Sequence, residues 1–265
     1  MEFSHFGALT AFICYLSATL AVVFRLFHPK GPHIVSVLTL GCIAIIAHTL
    51  NTAHYLFNQE VINFSLPNVV SLVSLIITLT VTSLALRFKV NLLIPVTYAF
   101  AGLWQLIMGF MPQGSVAPII SGDLSVLTHI TFALIAYCVL VIATLFAFQV
   151  AYINMKLKSK NIAAVSHLPP LMQVENQLFI ILFIGTACLF LSQLTGFIFL
   201  ENFISKENAH KTVLSLLSLV CYSFILWGHF KQGWRGHKVL MMTISATSLL
   251  TLAYFGSRFV KEFLL

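Results

Sequence analysis

Charge is the scarcest commodity in this chain: 8% of its 265 residues are Asp, Glu, Lys or Arg, with 7 acidic residues against 14 basic ones. Soluble domains carry about 25% charged residues, so a water-soluble globular fold is excluded. Cysteine is sparse and unpatterned. Cys14, Cys42, Cys138, Cys188 and Cys221 form neither a Cys-x-x-Cys pair nor a Cys-x-x-Cys-His attachment sequence, which argues against covalent haem and against a thiol relay. Buried cysteines of this kind act as small apolar packing residues. The 13 glycines build no phosphate-cradling loop, and no His-Glu-x-x-His helix is present, so ATP hydrolysis and zinc proteolysis lose their usual signatures. The few acids are scattered, and no Ser/His/Asp ordering stands out, so no catalytic activity is expected. No internal repeat or low-complexity tract is visible.

What the chain has in abundance is apolar length. Hydrophobic residues make up 59%, there are 24 Phe, and the mean hydropathy is +0.99. A helix needs about 20 mainly apolar residues to cross a bilayer, and by that measure the chain divides into about eight spans. They fall near residues 7–27, 34–54, 66–86, 92–110, 124–152, 176–200, 212–229 and 239–259. These runs are too long and too evenly apolar for tilted barrel strands. The expected fold is all-α: a polytopic membrane bundle forming one integral domain over residues 1–265. The first run lacks a basic leader and a small-residue cleavage pattern, so it reads as a span and not as a removable signal.

Lys and Arg occupy alternate gaps. Arg25 and Lys30, Arg87 and Lys89, Lys156, Lys158 and Lys160, and Lys231, Arg235 and Lys238 follow spans one, three, five and seven. The other gaps carry Glu60, Asp123, Glu201 and Glu207, with Lys206 and Lys211. Positive short loops stay cytoplasmic, so both termini are expected outside. The net charge of +7 is then a product of topology and calls for no nucleic-acid partner.

Ionisable groups at membrane depth are costly, and histidines dominate them here. His48 and His54 lie in the outer part of span two, His129 near the outer start of span five, and His229 at the inner end of span seven. A neutral imidazole can ligate haem iron while its other nitrogen is held by an acceptor. The simpler account is a histidine bonded to a neighbouring helix or reaching for water. His5, His28, His33, His167 and His237 sit in loops or at ends, where solvation suffices. Trp104, Trp227 and Trp234 read as packing or interfacial residues, Trp234 beside Arg235 as an anchor.

Three stretches carry a resemblance: Leu168-Pro169-Pro170-Leu171, then Trp227-Gly228-His229-Phe230-Lys231-Gln232-Gly233-Trp234-Arg235-Gly236, and the closing Leu252-Ala253-Tyr254-Phe255-Gly256-Ser257-Arg258-Phe259-Val260. With them the chain resembles the integral-membrane cytochrome c assembly family of haem-handling proteins, and within it a branch of small bacterial inner-membrane proteins of about this length. The resemblance implies haem presented near the outer face by histidines around a tryptophan-rich loop. His129 matches the family histidine upstream of that loop, and His229 matches one inside the bundle. Two elements are missing. The downstream outer histidine is replaced by Tyr254-Phe255-Gly256-Ser257-Arg258, and the segment 201–211 contains no Trp, with Lys211 alone retained.

The resulting expectation is a non-covalent haem b site with His129 and His48 as iron ligands, His54 and His210 in reserve, and Lys211 and Arg258 beside the propionates. Arg258 also has a simpler reading as a snorkelling residue. His229 is a candidate second site. The membrane supplies lipid contacts, and partners would be membrane proteins of cytochrome assembly or transport. A rival expectation keeps the scaffold but not the haem, leaving a permease or an accessory of a transport or ion-homeostasis system. Its support is the polar run Asn68, Ser71, Ser74, Thr78, Thr80, Thr82 and Ser83 on span three, a pattern that close helix packing also produces.

Overall fold

The computed structural model describes residues 2–25, 31–57, 62–111, 124–160, 168–199, 209–256 and 259. They form α1 Glu2–Val23, α2 Ile34–Phe57, α3 Leu66–Ala85, α4 Leu93–Phe110, α5 Leu124–Lys158, α6 Leu171–Phe199, α7 Ala209–Gln232 and α8 His237–Thr251, which runs on as a π-helical turn, Leu252–Gly256. Among the described residues there is no strand, and 8 helices are long and apolar enough to cross a membrane. The all-α polytopic class read from hydropathy is therefore what the chain adopts.

Several helices outrun their apolar stretches, because the helix continues into water wherever the residues are good helix formers. α5 carries on through Lys156 to Lys158, lysine being among the better ones. Lys160, at φ 57, then leaves helical space. α6 starts at Leu171, where Gln173 and Val174 donate to the Pro170 carbonyl; a proline before the first turn has no N–H to lose and is preset in φ. α7 stops at Gly233, whose φ of +66 puts it in the left-handed region while its N–H donates to the His229 carbonyl at 3.0 Å. That is a glycine C-cap of the αL kind.

The helices divide into two compact units, residues 1–120 with 161–169, and residues 121–160 with 170–265. In the first, α1 lies against α2 and α4, and α3 against α2 and α4. Its buried positions fall at coiled-coil spacing: Ala8, Ala11, Tyr15, Ala18 and Val22 on α1 are buried, as are Ile94, Tyr98, Ala101 and Met108 on α4, and the Tyr15 and Tyr98 rings meet with centroids 5.2 Å apart. Small residues permit the close approach that drives association in lipid, where burial from water supplies little between helices. A Cβ on Gly109 would stand 3.0 Å from the Cβ of Ala8. On α2, a Cβ on Gly41 would run into the Tyr98 hydroxyl, which is itself fixed by a 2.7 Å hydrogen bond to Thr82 Oγ1. Gly41→Ala is accordingly expected to cost about 1–3 kcal/mol as an overpacked core. Thermal unfolding in detergent checks this; an unchanged midpoint would refute the contact.

In the second unit α5 runs along α6, α8 packs on α5, and α7 lies against α6 and α8. Ala136, Leu140, Ala143, Ala147 and Val150 on α5 and Val174, Leu178, Leu182 and Leu189 on α6 are all buried. Gly185 is tight against Leu140, whose Cδ2 is 2.7 Å from where a Cβ would sit. No disulfide joins the five cysteines, which all lie within helices.

Candidate functional site

His129 stands in the second turn of α5, in the part of the second unit where α6 ends. Its Nδ1 lies 2.8 Å from the carbonyl oxygen of Ser192, and the Ser192 hydroxyl lies 3.4 Å from the His129 carbonyl, so the two helices are tied reciprocally. A carbonyl can only accept. Nδ1 therefore carries a proton, and in the neutral imidazole the lone pair is then on Nε2, the tautomer of a metal-ligating histidine whose other nitrogen is clamped. The alternation of α5, α6 and α7 places the α7 start at this same end. Lys211 is in its first turn, half-buried, and His210 beside it is exposed. Arg258 and residues 201–208, where the Trp-free segment begins, lie outside the described residues.

His229 is held at the opposite end of the unit, in the last turn of α7. Its Nδ1 is 3.2 Å from the Trp234 carbonyl, giving the same tautomer, and the Phe179 ring stacks on it with centroids 3.3 Å apart and planes 14° from parallel. The Gly-Trp-x-Gly turn makes this possible. Gly233 and Gly236 both take positive φ, 66° and 64°, folding Trp234 back so that its indole occupies the space a side chain at Gly228 would need. Sequence comparison singled out the motif; its physical task is to seat Trp234 and orient His229.

His48 has a different setting. It is fully buried in the first unit, with Tyr15 Oη 3.2 Å from Nδ1 and Ser71 Oγ 3.3 Å from Nε2. Ser71 Oγ also lies 2.8 Å from Thr52 Oγ1 and receives Gln105 Nε2 at 2.9 Å, while Asn51 Nδ2 donates to Gln105 Oε1 at 2.7 Å. Both ring nitrogens of His48 thus have hydroxyl partners, and ligation would require giving one up. Tyr15, Thr52 and Gln105 were not singled out from sequence, and the available signal was the polar stripe of α3. That stripe is real in part: Asn68, Ser71, Ser74, Thr78 and Thr82 are buried, whereas Ser83 is exposed. The hydroxyls of Ser74, Thr78, Thr80, Thr82 and Ser83 donate to carbonyls three or four residues back on their own helix.

The remaining histidines stay apart. His54 is exposed at the end of α2 against the edge of Tyr55, and His5, His33 and His237 are exposed, while His28 and His167 lie outside the described residues. Among the described residues no group of three or more His, Cys, Asp and Glu side chains is placed to hold a bare metal ion. A macrocycle that brings its own four nitrogens needs only one or two protein ligands, and the donor chemistry of His129 and His229 fits such a group. Among the described residues the second unit also buries polar atoms without hydrogen-bond partners, both amide atoms of Gln149, Oε1 of Gln193 and the hydroxyl of Tyr254. Such orphans cost about 1–3 kcal/mol each unless water or a ligand meets them.

Among the described residues, eight helices long and apolar enough to cross a membrane, a buried polar network in one unit and a carbonyl-bound histidine towards either end of the other describe a polytopic membrane protein. The sequence model of the cytochrome C assembly protein family matches residues 36–265, and the chain belongs to that family, the match reaching into both units. It is 36% identical over 257 residues to Inner membrane protein YpjD of Escherichia coli strain K12, covering 96% of this chain and 97% of that one, with the same figures for the O157:H7 protein. An uncharacterized 28.8 kDa protein from Azospirillum brasilense is 30% identical over 161 residues, 58% of this chain and 59% of its own. No solved structure matches. The protein is a multi-pass inner-membrane protein.

Proposed function

We propose that this chain binds haem b non-covalently through His129 and acts as a haem-handling accessory in cytochrome c assembly, without catalysing a covalent step. The observation that carries the reading is the 2.8 Å contact of His129 Nδ1 with the Ser192 carbonyl, which orients the imidazole at the end of the unit shared with Lys211 and favours the tautomer that ligates through Nε2. Membership of the cytochrome C assembly family supports haem as the cargo class. Lys211, joined by Arg258, would neutralise the propionates. His229, in the same tautomer, is the candidate ligand of a second site. His48 is assigned to its hydroxyl network and not to iron. Bound haem would supply an iron centre able to change oxidation state; the chain's own part is to orient an imidazole, fix its tautomer and wall off water.

The permease alternative rests on the hydroxyls of α3, and their commitment to carbonyls of their own helix favours packing over a solute path. Protein purified from haem-replete cells is expected to show a Soret band that shifts on reduction. A colourless preparation would return the transport or accessory reading to first place.

Orientation belongs to the same proposal: the basic connections face the cytoplasm and both termini the periplasm. Reporters fused after Asp123 and after Lys160 are expected to signal from outside and inside respectively. The reverse pattern would overturn the charge-based topology.

A further inference from the structure

The end of the second unit away from His129 gathers charge that the haem reading does not use. Lys156 and Lys158 close α5 and Lys160 follows it, and Lys231, Arg235 and Lys238 surround the turn between α7 and α8. The α5 end is drawn to that turn: Asn154 Nδ2 stands 3.0 Å from where a Cβ on Gly236 would be. Among the described residues of the unit, Glu175 is the only acid, and it is engaged, with Oε1 3.7 Å from Arg235 Nε.

Two of the cations at the turn are positioned. Arg235 meets Glu175 through Nε, which leaves its terminal nitrogens for another acceptor, and its side chain is 61% exposed. Lys238 holds Nζ 3.5 Å from the ring centroid of Trp234, a cation–π contact on an indole that is itself seated against Gly228. The same corner exposes aromatic surface, Phe230 at 68% and Trp227 at 47%. Aromatic residues beside basic ones mark the headgroup level of a bilayer, so a ligand for this corner arrives from within the membrane.

We propose that Arg235 and Lys238 form a binding site for the headgroup phosphate of an anionic phospholipid, with Trp227 and Phe230 against its glycerol and acyl region. A guanidinium presenting its terminal nitrogens suits a phosphodiester, and basic pockets at helix ends take anionic headgroups. The lysines at the end of α5 add attraction, Lys156 holding Nζ 5.6 Å from the Tyr152 ring centroid. The site is independent of the haem proposal.

The test is native mass spectrometry of the full-length protein, purified in mild detergent and offered phosphatidylglycerol or phosphatidylcholine. Retention of phosphatidylglycerol over phosphatidylcholine is expected. Arg235→Gln and Lys238→Gln should each lower it roughly fivefold, the factor for one basic residue at an anionic surface. Lys238→Arg should preserve it, and Lys158→Gln should matter less. If Arg235→Gln elutes as aggregate, Lys238→Gln decides. Equal retention of the two lipids, an equal loss from Lys158→Gln, or displacement by inorganic phosphate would each overturn the site.

Discussion

Trp234→Ala is expected to cost about 3–5 kcal/mol, the range for deleting a large aromatic side chain from a packed position, and to lower the detergent unfolding midpoint more than any surface change. The indole is touched from several sides: its ring meets Phe224 edge-on at 5.1 Å, Lys238 lies over it, and its backbone carbonyl receives His229 Nδ1. Gly228→Ala should also destabilise, because the new methyl falls within the indole. In the Trp234→Ala background that same methyl enters the space just vacated. The two substitutions are therefore expected to be strongly non-additive, with Gly228→Ala nearly neutral in the double variant. Simple additivity would show that the turn does not pack as described.

His129→Ala is expected to remove the co-purifying haem signal, a loss of tenfold or more in Soret absorbance per chain, with elution and helical content unchanged. On the proposed reading the substitution deletes the imidazole that would hold iron, whereas buried Leu140, Ala143 and Ala147 of α5 remain. His48→Ala should behave in the opposite way. It leaves Tyr15 Oη with Thr78 Oγ1 at 3.3 Å and Ser71 Oγ with Thr52 and Gln105, but opens a void in a fully buried network. A stability loss of about 1–3 kcal/mol with haem retained is the expected pattern. Equal haem loss in both variants would restore His48 as a ligand.

The number and type of the elements were legible because a span is written in length and hydropathy alone, which needs no partner to interpret. Helix ends were less so: α5 continues through Lys156 to Lys158 and α6 begins at Leu171 because capping and propensity, not lipid, decide where helices stop. Candidate histidines could be named from sequence, since few residue types can ligate iron at membrane depth. Their tautomers could not. The proton on His129 is set by a carbonyl 63 residues away in sequence, and the engagement of His48 by Tyr15 and Ser71 on two other helices. The stripe on α3 was visible, yet its direction was not, because hydroxyls spaced for a path and hydroxyls spaced for helix contact share one period. The glycines at 233 and 236 advertised a turn; that the turn exists to seat Trp234 against Gly228 required the third dimension.

The most direct test of the central claim is to titrate haem into the haem-free protein in nanodiscs and follow its absorption, with the native chain beside His129→Ala. A saturable Soret band reaching about one haem per chain, as one axial histidine site requires, and missing from His129→Ala, is the predicted result. A band that never saturates, or one identical in the two proteins, would contradict it.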